Sequence, residues 1–467
     1  MTALLQRWAG RLDNGRLETG LMLVALTVVA CLMPAQNDTW WQLRTGEAMW
    51  QSGQIMMRDE FTHTVAGGYW PNHEWLTQVI FYGAFRAGGM PLLTALCAAA
   101  VVTAWFLVSL LTPGTTLTRL LLIGCGAGFT TPAWSLRPQT FSLALFAATL
   151  WILVRRRFLW ALPPLFLVWA NLHGAVATGG LLLVAAAAAS AVIAREQLVK
   201  LFAIGLLCFA ATTTTPLGFS FWLEIPESLQ RLKAYEVIEW RAPSLTNPAD
   251  FPFWIIVGAL GVLIWRRREA LRTWEPAFLT LASALTLILA FRSTRNFSTF
   301  LLCAVPTAGL LLAEPASHAP TISTSRATMR PLILAVCTLA SASFIAFAWW
   351  LPLPRLAWHP MSEEMRAAIA ACEGPLYNRY DEGGYIIWFL KGRRVFMDSR
   401  QDPFPEEMVL DQIQLERSGD YQSMFDRYRI GCALTPDRSP LAHRLVLDGW
   451  SRRRAGDGWA VFSRPST

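Results

Sequence analysis

Charged side chains are scarce in this chain of 467 residues. Asp, Glu, Lys and Arg together make up 15% of the sequence, whereas a soluble domain carries about 25%. Hydrophobic residues make up 54%, the mean hydropathy is +0.36, and the apolar residues fall in long runs. These runs predict many membrane spans rather than one large soluble core.

Several signals of other protein classes are also missing. The net charge is +8, but no basic stripe is interleaved with exposed aromatic residues, which argues against nucleic acid as a partner. The eight cysteines include no C-x-x-C pair, so the zinc-type ligand spacing is absent. No solenoid-type repeat is present. The composition therefore indicates a membrane protein whose basic residues lie in cytoplasmic loops.

The apolar runs predict an all-α polytopic membrane protein with about eleven transmembrane helices. Several runs are shorter than the roughly 20 residues of an upright span, which is tolerated where a helix lines a cavity. The predicted spans are residues 17–33, 90–112, 117–133, 138–154, 159–171, 174–194, 199–215, 251–265, 274–290, 297–313 and 332–351.

The distribution of Lys and Arg predicts the orientation, because cytoplasmic loops carry an excess of both. With a cytoplasmic N-terminus, every inside loop is basic or borders a basic residue. Three segments then lie on the extracytoplasmic side of the cell inner membrane: the first outer loop (34–89), the loop 216–250 and the tail 352–467. The basic residues at the inside loops are Arg119, Arg155, Arg156, Arg157, Arg195, Lys200, Arg266, Arg267, Arg268, Arg272, Arg326 and Arg330.

The tail from residue 352 changes to a polar, charged and turn-rich composition. Its apolar runs 385–390, 394–397 and 459–462 read as strands or short helices. Two domains are therefore predicted: a transmembrane domain of residues 1–351, and a small extracytoplasmic α/β domain of residues 352–467.

Two of the cysteines, Cys372 and Cys432, lie in the tail. An extracytoplasmic tail faces an oxidising compartment, where a disulfide between them can form. The alternative is two unpaired thiols whose Cα atoms lie more than about 7 Å apart.

Ionisable residues collect at the predicted outer ends of the spans, where such groups are costly and usually functional. Arginines bind phosphate through a fork of donors, and a carboxylate can take a proton from an attacking hydroxyl or hold a cation. The sequence predicts a common cavity at the outer boundary of the membrane, faced by Asp38, Asp59, His73, Glu74, His173 and at least one of Arg292 and Arg295. The candidates are Asp38, Asp59, His73, Glu74, Arg137, His173, Glu239, Arg292, Arg295 and Asp381.

Each candidate also has a structural interpretation. Segment 39–52 reads as an amphipathic surface helix, in which Trp40 and Trp41 are either interface anchors or sugar-stacking residues. His173 can cap a turn, and Arg292 and Arg295 can reach toward lipid headgroups.

The order of these residues resembles that in bacterial polytopic glycosyltransferases of the GT-C type. The first outer loop carries most of the likeness, and later segments extend it over most of the chain. A tail segment is distantly similar to part of the oligosaccharyltransferase catalytic subunit, without its paired Trp residues. The matching segments are Asp38-Thr39-Trp40-Trp41, Asp59-Glu60-Phe61-Thr62, His73-Glu74-Trp75-Leu76, Arg137-Pro138-Gln139, Asn171-Leu172-His173-Gly174, Arg295-Asn296 and, in the tail, Tyr380-Asp381-Glu382-Gly383-Gly384-Tyr385.

The resemblance implies an enzyme that moves a sugar from a polyprenyl-(di)phosphate donor to an extracytoplasmic acceptor. It implies that Asp38, or secondarily Asp59, is catalytic or binds Mg²⁺ or Mn²⁺. His73, Glu74 and His173 would then line the acceptor side, and Arg292 or Arg295 would hold the phosphate. Many relatives carry Asp-x-Asp where this chain has Gln36-Asn37-Asp38, which weakens the expectation of a tightly held metal.

Two functions from other classes stay open. One is a transporter or flippase of lipid-linked glycans, although the sequence shows no inverted repeat of the kind that many transporters contain. The other is a non-catalytic membrane scaffold of the cell envelope that binds partners through the tail. Turnover of a lipid-linked sugar separates the enzyme from both.

Overall fold

The computed structural model describes residues 14–224, 227, 238–313, 329–456 and 458–465. Arg326, one of the predicted inside residues, lies outside them. The described residues form two compact units, each built from separate segments of the chain. The first unit comprises the described parts of Met1–Pro34, Pro91–Thr215 and Ile238–Leu356. The second unit comprises the described parts of Ala35–Met90, Pro216–Val237 and Ala357–Thr467.

Every predicted apolar span overlaps a helix of the described residues. The helices as far as residue 350 are α1 (Asn14–Ala30), α2 (Asn37–Ser52), α3 (Trp75–Leu111), α4 (Thr116–Thr130), α5 (Gln139–Arg155), α6 (Leu162–Leu172), α7 (Val176–Ile193), α8 (Leu198–Thr212), α9 (Phe251–Arg266), α10 (Trp274–Arg292), α11 (Phe297–Leu312) and α12 (Met329–Trp350).

Six helical segments in the described part of the chain are at least 18 residues long and apolar enough to cross a membrane. Three further apolar helices have 10–17 residues. These helices make the chain a multi-pass membrane protein. The number of eleven crossings stays a prediction.

Helix α3 is broken near its middle at two glycines. Gly88 and Gly89 depart from helical geometry, with a φ of +64° at Gly89, a conformation that glycine adopts without steric cost. Pro91 follows and suits the first turn of the resumed helix. The break lies where the chain passes from one unit to the other. One segment of the second unit ends at Met90, and the next segment of the first unit begins at Pro91.

The tail in the second unit folds into short helices around a small sheet, which confirms the predicted C-terminal α/β character. The sheet order is β1-β2-β4-β3. β1 pairs parallel with β2, while β4 pairs antiparallel with both β2 and β3. The elements of the tail are α13 (Glu363–Ala370), β1 (Leu376–Tyr377), α14 (Gly383–Phe389), α15 (Glu406–Ser418), α16 (Gln422–Arg427), β2 (Cys432–Pro436), α17 (Pro440–Leu447), β3 (Ser451–Arg454) and β4 (Trp459–Ser463).

The first loop and the tail share one hydrophobic core inside the second unit. Trp41, Phe61 and Trp70 of the loop are buried in the same cluster as Ile386 and Val395 of the tail. Val395 also forms a single parallel bridge with Thr62. The loop therefore contributes directly to the folded structure around the sheet.

Of the two alternatives left open for the tail cysteines, the structure has the bonded one. Cys372 and Cys432 form a disulfide with a Cα–Cα distance of 6.1 Å. Cys372 follows the end of α13 and Cys432 begins β2. The bridge thus ties a helix of the tail to its sheet.

The segment predicted as an amphipathic helix is α2, but Trp40 and Trp41 are not interface anchors. Trp40 and Trp41 are buried. Trp40 packs against Phe389 with ring centroids 4.8 Å apart, and Trp41 against Trp70 at 6.0 Å. The interface interpretation was wrong because apolar side chains of the second unit, not lipid, cover this face of the helix.

Helix α14 lies close against α2, and glycine makes the approach possible. A Cβ at Gly384 would lie 2.3 Å from the carbonyl oxygen of Asn37. Any larger residue at this position would force the two backbones apart. The packing brings the tail to the N-terminal turn of α2, where Asp38 lies.

Candidate functional site

A cavity of about 530 Å³ lies within the first unit. Its walls come from the start of α5, the turn between α6 and α7, and the turn between α10 and α11. It is lined by three of the predicted site residues, His173, Glu239 and Arg295, together with apolar side chains such as Phe129 and Phe146. The cavity thus combines ionised and apolar walls.

Glu239 lies between two guanidinium groups. Arg295 donates to its carboxylate at 2.9 Å, and Arg137 donates through both terminal nitrogens at 3.3 and 3.4 Å. Burial raises the pKa of Glu239, but the charges of Arg295 and Arg137 outweigh it and hold the pKa below its ordinary value. One carboxylate therefore accepts hydrogen bonds from two guanidinium groups, of which that of Arg295 lines the cavity.

Arg295 is held in place by neighbours other than Glu239. Its second terminal nitrogen donates to the Gln139 side chain at 3.2 Å. Its guanidinium also lies 5.0 Å from the centroid of the Trp240 ring, a distance typical of a cation–π contact. Only about a fifth of the Arg295 side chain is exposed (22%), so the charge is positioned rather than solvated.

The backbone that carries Glu239 is attached to the turn between α10 and α11. The hydroxyls of Ser293 and Thr294 both donate to the carbonyl oxygen of Glu239, at 3.0 and 3.1 Å. The backbone N–H of Thr294 donates to the Arg241 carbonyl at 3.0 Å. These bonds fix Glu239 beside Arg295, although 56 residues separate the two in the sequence.

His173 lies on another wall of the cavity, after the end of α6. Its Nδ1 accepts from the backbone N–H of Ala175 at 3.3 Å and lies 2.9 Å from the Ser142 hydroxyl. The Ser142 oxygen accepts from the indole N–H of Trp169 at 2.8 Å. Because Nδ1 is an acceptor, the proton of the neutral ring is on Nε2.

Sequence reasoning missed a second ion pair at this cavity. Arg241 donates to both oxygens of Asp250, one of them at 2.7 Å, and both residues line the cavity. The two residues are nine positions apart in the loop before α9, a spacing that carries no recognisable motif. Arg292, by contrast, is exposed at the end of α10 and does not line the cavity.

In the second unit, Asp38 occupies the first turn of α2 and is bound by a residue of the tail. Its Oδ1 accepts hydrogen bonds from the Ser399 hydroxyl and, at 3.3 Å, from the indole N–H of Trp41. The N-terminus of a helix favours a carboxylate. Asp38 is thus held as a hydrogen-bond acceptor at a helix terminus.

Asp381 of the tail lies close enough to Asp38 for their charges to interact. Burial raises the pKa of Asp381, the charge of Asp38 raises it further, and the charge of Arg379 opposes both. Two carboxyl groups, one from the first loop and one from the tail, therefore occupy the same region of the second unit.

Asp59 lies in a buried ion-pair network. Arg400 binds the carboxylates of both Asp59 and Asp398, and the side chains of all three are fully buried. The Arg400 guanidinium also lies 4.7 Å from the Trp70 ring centroid and 5.2 Å from that of Phe61. These contacts favour a structural role for Asp59.

His73 and Glu74 lie together at the start of α3. His73 Nε2 is 3.8 Å from a Glu74 oxygen, and His73 Nδ1 is 3.9 Å from Asp402 of the tail. The Gln42 amide of α2 donates to Glu74. The contact between His73 and Asp402 joins residues that are 329 positions apart, and no spacing in the sequence indicates it.

The described residues contain no group of three His, Cys, Asp or Glu side chains that could hold a metal ion. Asp59 and Asp398 are paired with Arg400, and Asp38 accepts from Ser399 and Trp41. Mg²⁺ or Mn²⁺ stays a prediction.

The fold is that of archaeal oligosaccharyltransferases, and the predicted GT-C-type architecture is confirmed. One similar structure is the oligosaccharyltransferase AglB from Archaeoglobus fulgidus in complex with an inhibitory peptide and a dolichol-phosphate. It has a TM-score of 0.60 and 10% identity, covering 90% of this chain and 69% of that one.

Two more structures of the Archaeoglobus fulgidus oligosaccharyltransferase are similar, each with a TM-score of 0.54. One is tethered to an acceptor peptide containing the NVT sequon, with 11% identity over 90% of this chain and 69% of that one. The other is in the apo form, with 12% identity over 89% and 69%. No family model and no curated protein sequence matches the chain.

Proposed function

We propose that the protein is a membrane glycosyltransferase that moves a sugar from a polyprenyl-(di)phosphate donor to an extracytoplasmic acceptor. The observation that carries the proposal is the ionised wall of the cavity in the first unit, where Arg295 pairs with Glu239, a carboxylate that also accepts from Arg137 outside the cavity lining. The guanidinium of Arg295 suits a phosphate, and the apolar wall of the cavity suits the first isoprene units. The likeness in fold to oligosaccharyltransferases supports the same class of reaction.

The residues have separate roles in this reaction. Asp38 accepts the proton of the acceptor group as the acceptor atom forms its bond to the anomeric carbon of the sugar. The bond from that carbon to the phosphate oxygen breaks, and its electron pair leaves with the phosphate. Arg295 and Arg137 stabilise the charge that develops on the phosphate. His73, Glu74, His173 and Asp381 position the substrates.

A test of the proposal is binding of undecaprenyl phosphate to the purified protein in nanodiscs. Replacing Arg295 by glutamine removes a charge-assisted contact worth about 1.5–3 kcal/mol, so the Kd should rise about 10- to 100-fold. Arg292→Gln is the matched control, because it removes the same charge from an exposed residue outside the cavity. It should leave the Kd unchanged.

The same preparations decide between catalysis and its alternatives. Wild-type protein should consume a radiolabelled polyprenyl-phosphate sugar in the presence of envelope acceptor material, and Arg295→Gln should slow it. A transporter or flippase, or a membrane scaffold, would bind the lipid without breaking its glycosyl bond. Equal effects of the two arginine variants on Kd would count against the cavity as the phosphate site.

The proposal also implies that residues 34–89 and 352–467, including the α/β domain, lie on the extracytoplasmic side of the inner membrane. Cysteines at the exposed positions Ser52 and Ser418 should react with an impermeant thiol reagent in intact cells. The background is Cys125→Ser, since Cys125 is an exposed native cysteine. A cysteine at Glu269, in the basic loop after α9, should react only after permeabilisation. The reverse pattern would overturn the orientation.

A further inference from the structure

We infer that Ser399 is a positioning residue for Asp38, and that the tail thereby sets the geometry of the proposed catalytic carboxylate. The inference rests on the proposed function. It concerns a contact between two residues that are 361 positions apart in the sequence and close together in the second unit. Nothing in the sequence of either segment indicates the contact.

The hydrogen bonds of Ser399 fix the direction in which its hydroxyl donates. The side-chain amide of Asn37 donates to the Ser399 oxygen at 3.0 Å, and the indole N–H of Trp41 donates to it at 3.1 Å. A serine hydroxyl has one hydrogen and two acceptor lone pairs. Both lone pairs are therefore used by groups that can only donate, and the hydrogen is directed to Asp38 Oδ1.

The position of Ser399 is itself constrained from both sides. Its carbonyl oxygen accepts from the Tyr380 hydroxyl at 3.1 Å, and the residues on either side, Asp398 and Arg400, are buried in the ion-pair network. The backbone of Ser399 is therefore held in place, and turning the hydroxyl away from Asp38 would break its hydrogen bonds with Asn37 and Trp41. Ser399 thus connects the carboxylate of Asp38 to the buried ion-pair network of the second unit.

A fixed carboxylate matters for proton transfer because the base must lie within hydrogen-bond reach of the proton it accepts. Displacing a reacting group by about 1 Å can lower the rate about 100-fold. Ser399 and Trp41 both bind Oδ1 of Asp38, which fixes the plane of the carboxyl group. Loss of the Ser399 hydroxyl removes one of these two bonds and so loosens the carboxyl group while leaving its charge unchanged.

The test compares Ser399→Ala with Ser399→Thr, which keeps the hydroxyl. In the polyprenyl-phosphate sugar assay, Ser399→Ala should lower kcat about 10- to 100-fold with little change in KM for the lipid, and Ser399→Thr should restore most of it. Thr64→Val is the matched control, because the Thr64 hydroxyl joins the first loop to the tail at the Phe396 carbonyl (2.6 Å) without touching Asp38. It should leave kcat unchanged.

Two further arms separate this inference from the proposed function. If Asp38→Asn abolishes turnover while Ser399→Ala matches wild type, the positioning role is wrong and the proposed function stands. Carbodiimide labelling of Asp38, read by mass spectrometry, requires no turnover at all. Labelling should increase several-fold in Ser399→Ala but not in Thr64→Val, with the exposed Asp411 as internal standard. Unchanged labelling of Asp38 would overturn the inference.

Discussion

Replacing Asp38 by asparagine is expected to lower the turnover of the lipid-linked sugar about 10²- to 10⁴-fold, the range for loss of general acid–base catalysis. Asparagine has nearly the same shape, and its carbonyl oxygen can still accept the hydrogen bonds from Ser399 and Trp41. It cannot accept a proton. The fold and the affinity for undecaprenyl phosphate should therefore stay close to wild type while kcat falls.

Asp411→Asn is the matched control for this prediction, because Asp411 is an exposed carboxylate on α15 of the same unit. It should leave kcat unchanged. A preparation of Asp38→Asn that is folded and retains more than about a tenth of wild-type turnover would remove Asp38 from the proposed mechanism. Glu74 and Asp381 would then be the next carboxylates to replace.

Replacing Arg400 by methionine is expected to have the largest effect on stability. Arg400 pairs with Asp59 and Asp398 where all three side chains are fully buried. Removing one partner of a buried ion pair costs about 3–5 kcal/mol, because a buried charge is left uncompensated. The free energy of unfolding of the second unit should fall by this amount. Arg427→Met, at an exposed position of α16, should change it little.

The loss caused by Arg400→Met should depend on pH, with a sign set by the carboxylates. Burial already raises the pKa of Asp398, and the charge of Arg400 opposes this. Without Arg400 the folded protein holds the carboxyl proton more tightly than the unfolded chain does. Its stability must then fall as the pH rises above the ordinary carboxyl range. A variant as stable at pH 8 as at pH 5 would contradict this account.

The helices of the first unit were predictable because apolar length alone indicates them. Every predicted run, from residues 17–33 to 332–351, overlaps a helix of the described chain. The possibility of a disulfide followed from residue type, because Cys372 and Cys432 are the cysteines of the polar tail, but the choice between a bond and two unpaired thiols needed the structure. In both cases the signal lies within one segment or in the residue type.

Long-range partners were not predictable, because each depends on how distant segments pack. The bond from Ser399 to Asp38 and the pairing of Arg400 with Asp59 have no signature in either segment. Trp40 illustrates a different failure. A tryptophan suits a membrane interface and a protein core equally well, and only the packing against Phe389 distinguishes them.

The core shared by the first loop and the tail cannot form until the tail has been synthesised. Trp41, Phe61 and Trp70 emerge from the ribosome long before their partners Ile386 and Val395. At about 5–20 residues per second, the chain between Met90 and Ala357 takes about 15–50 s to make. During that interval these aromatic side chains have no tail to cover them. A nascent chain stalled before residue 357 would therefore present them to chaperones and proteases.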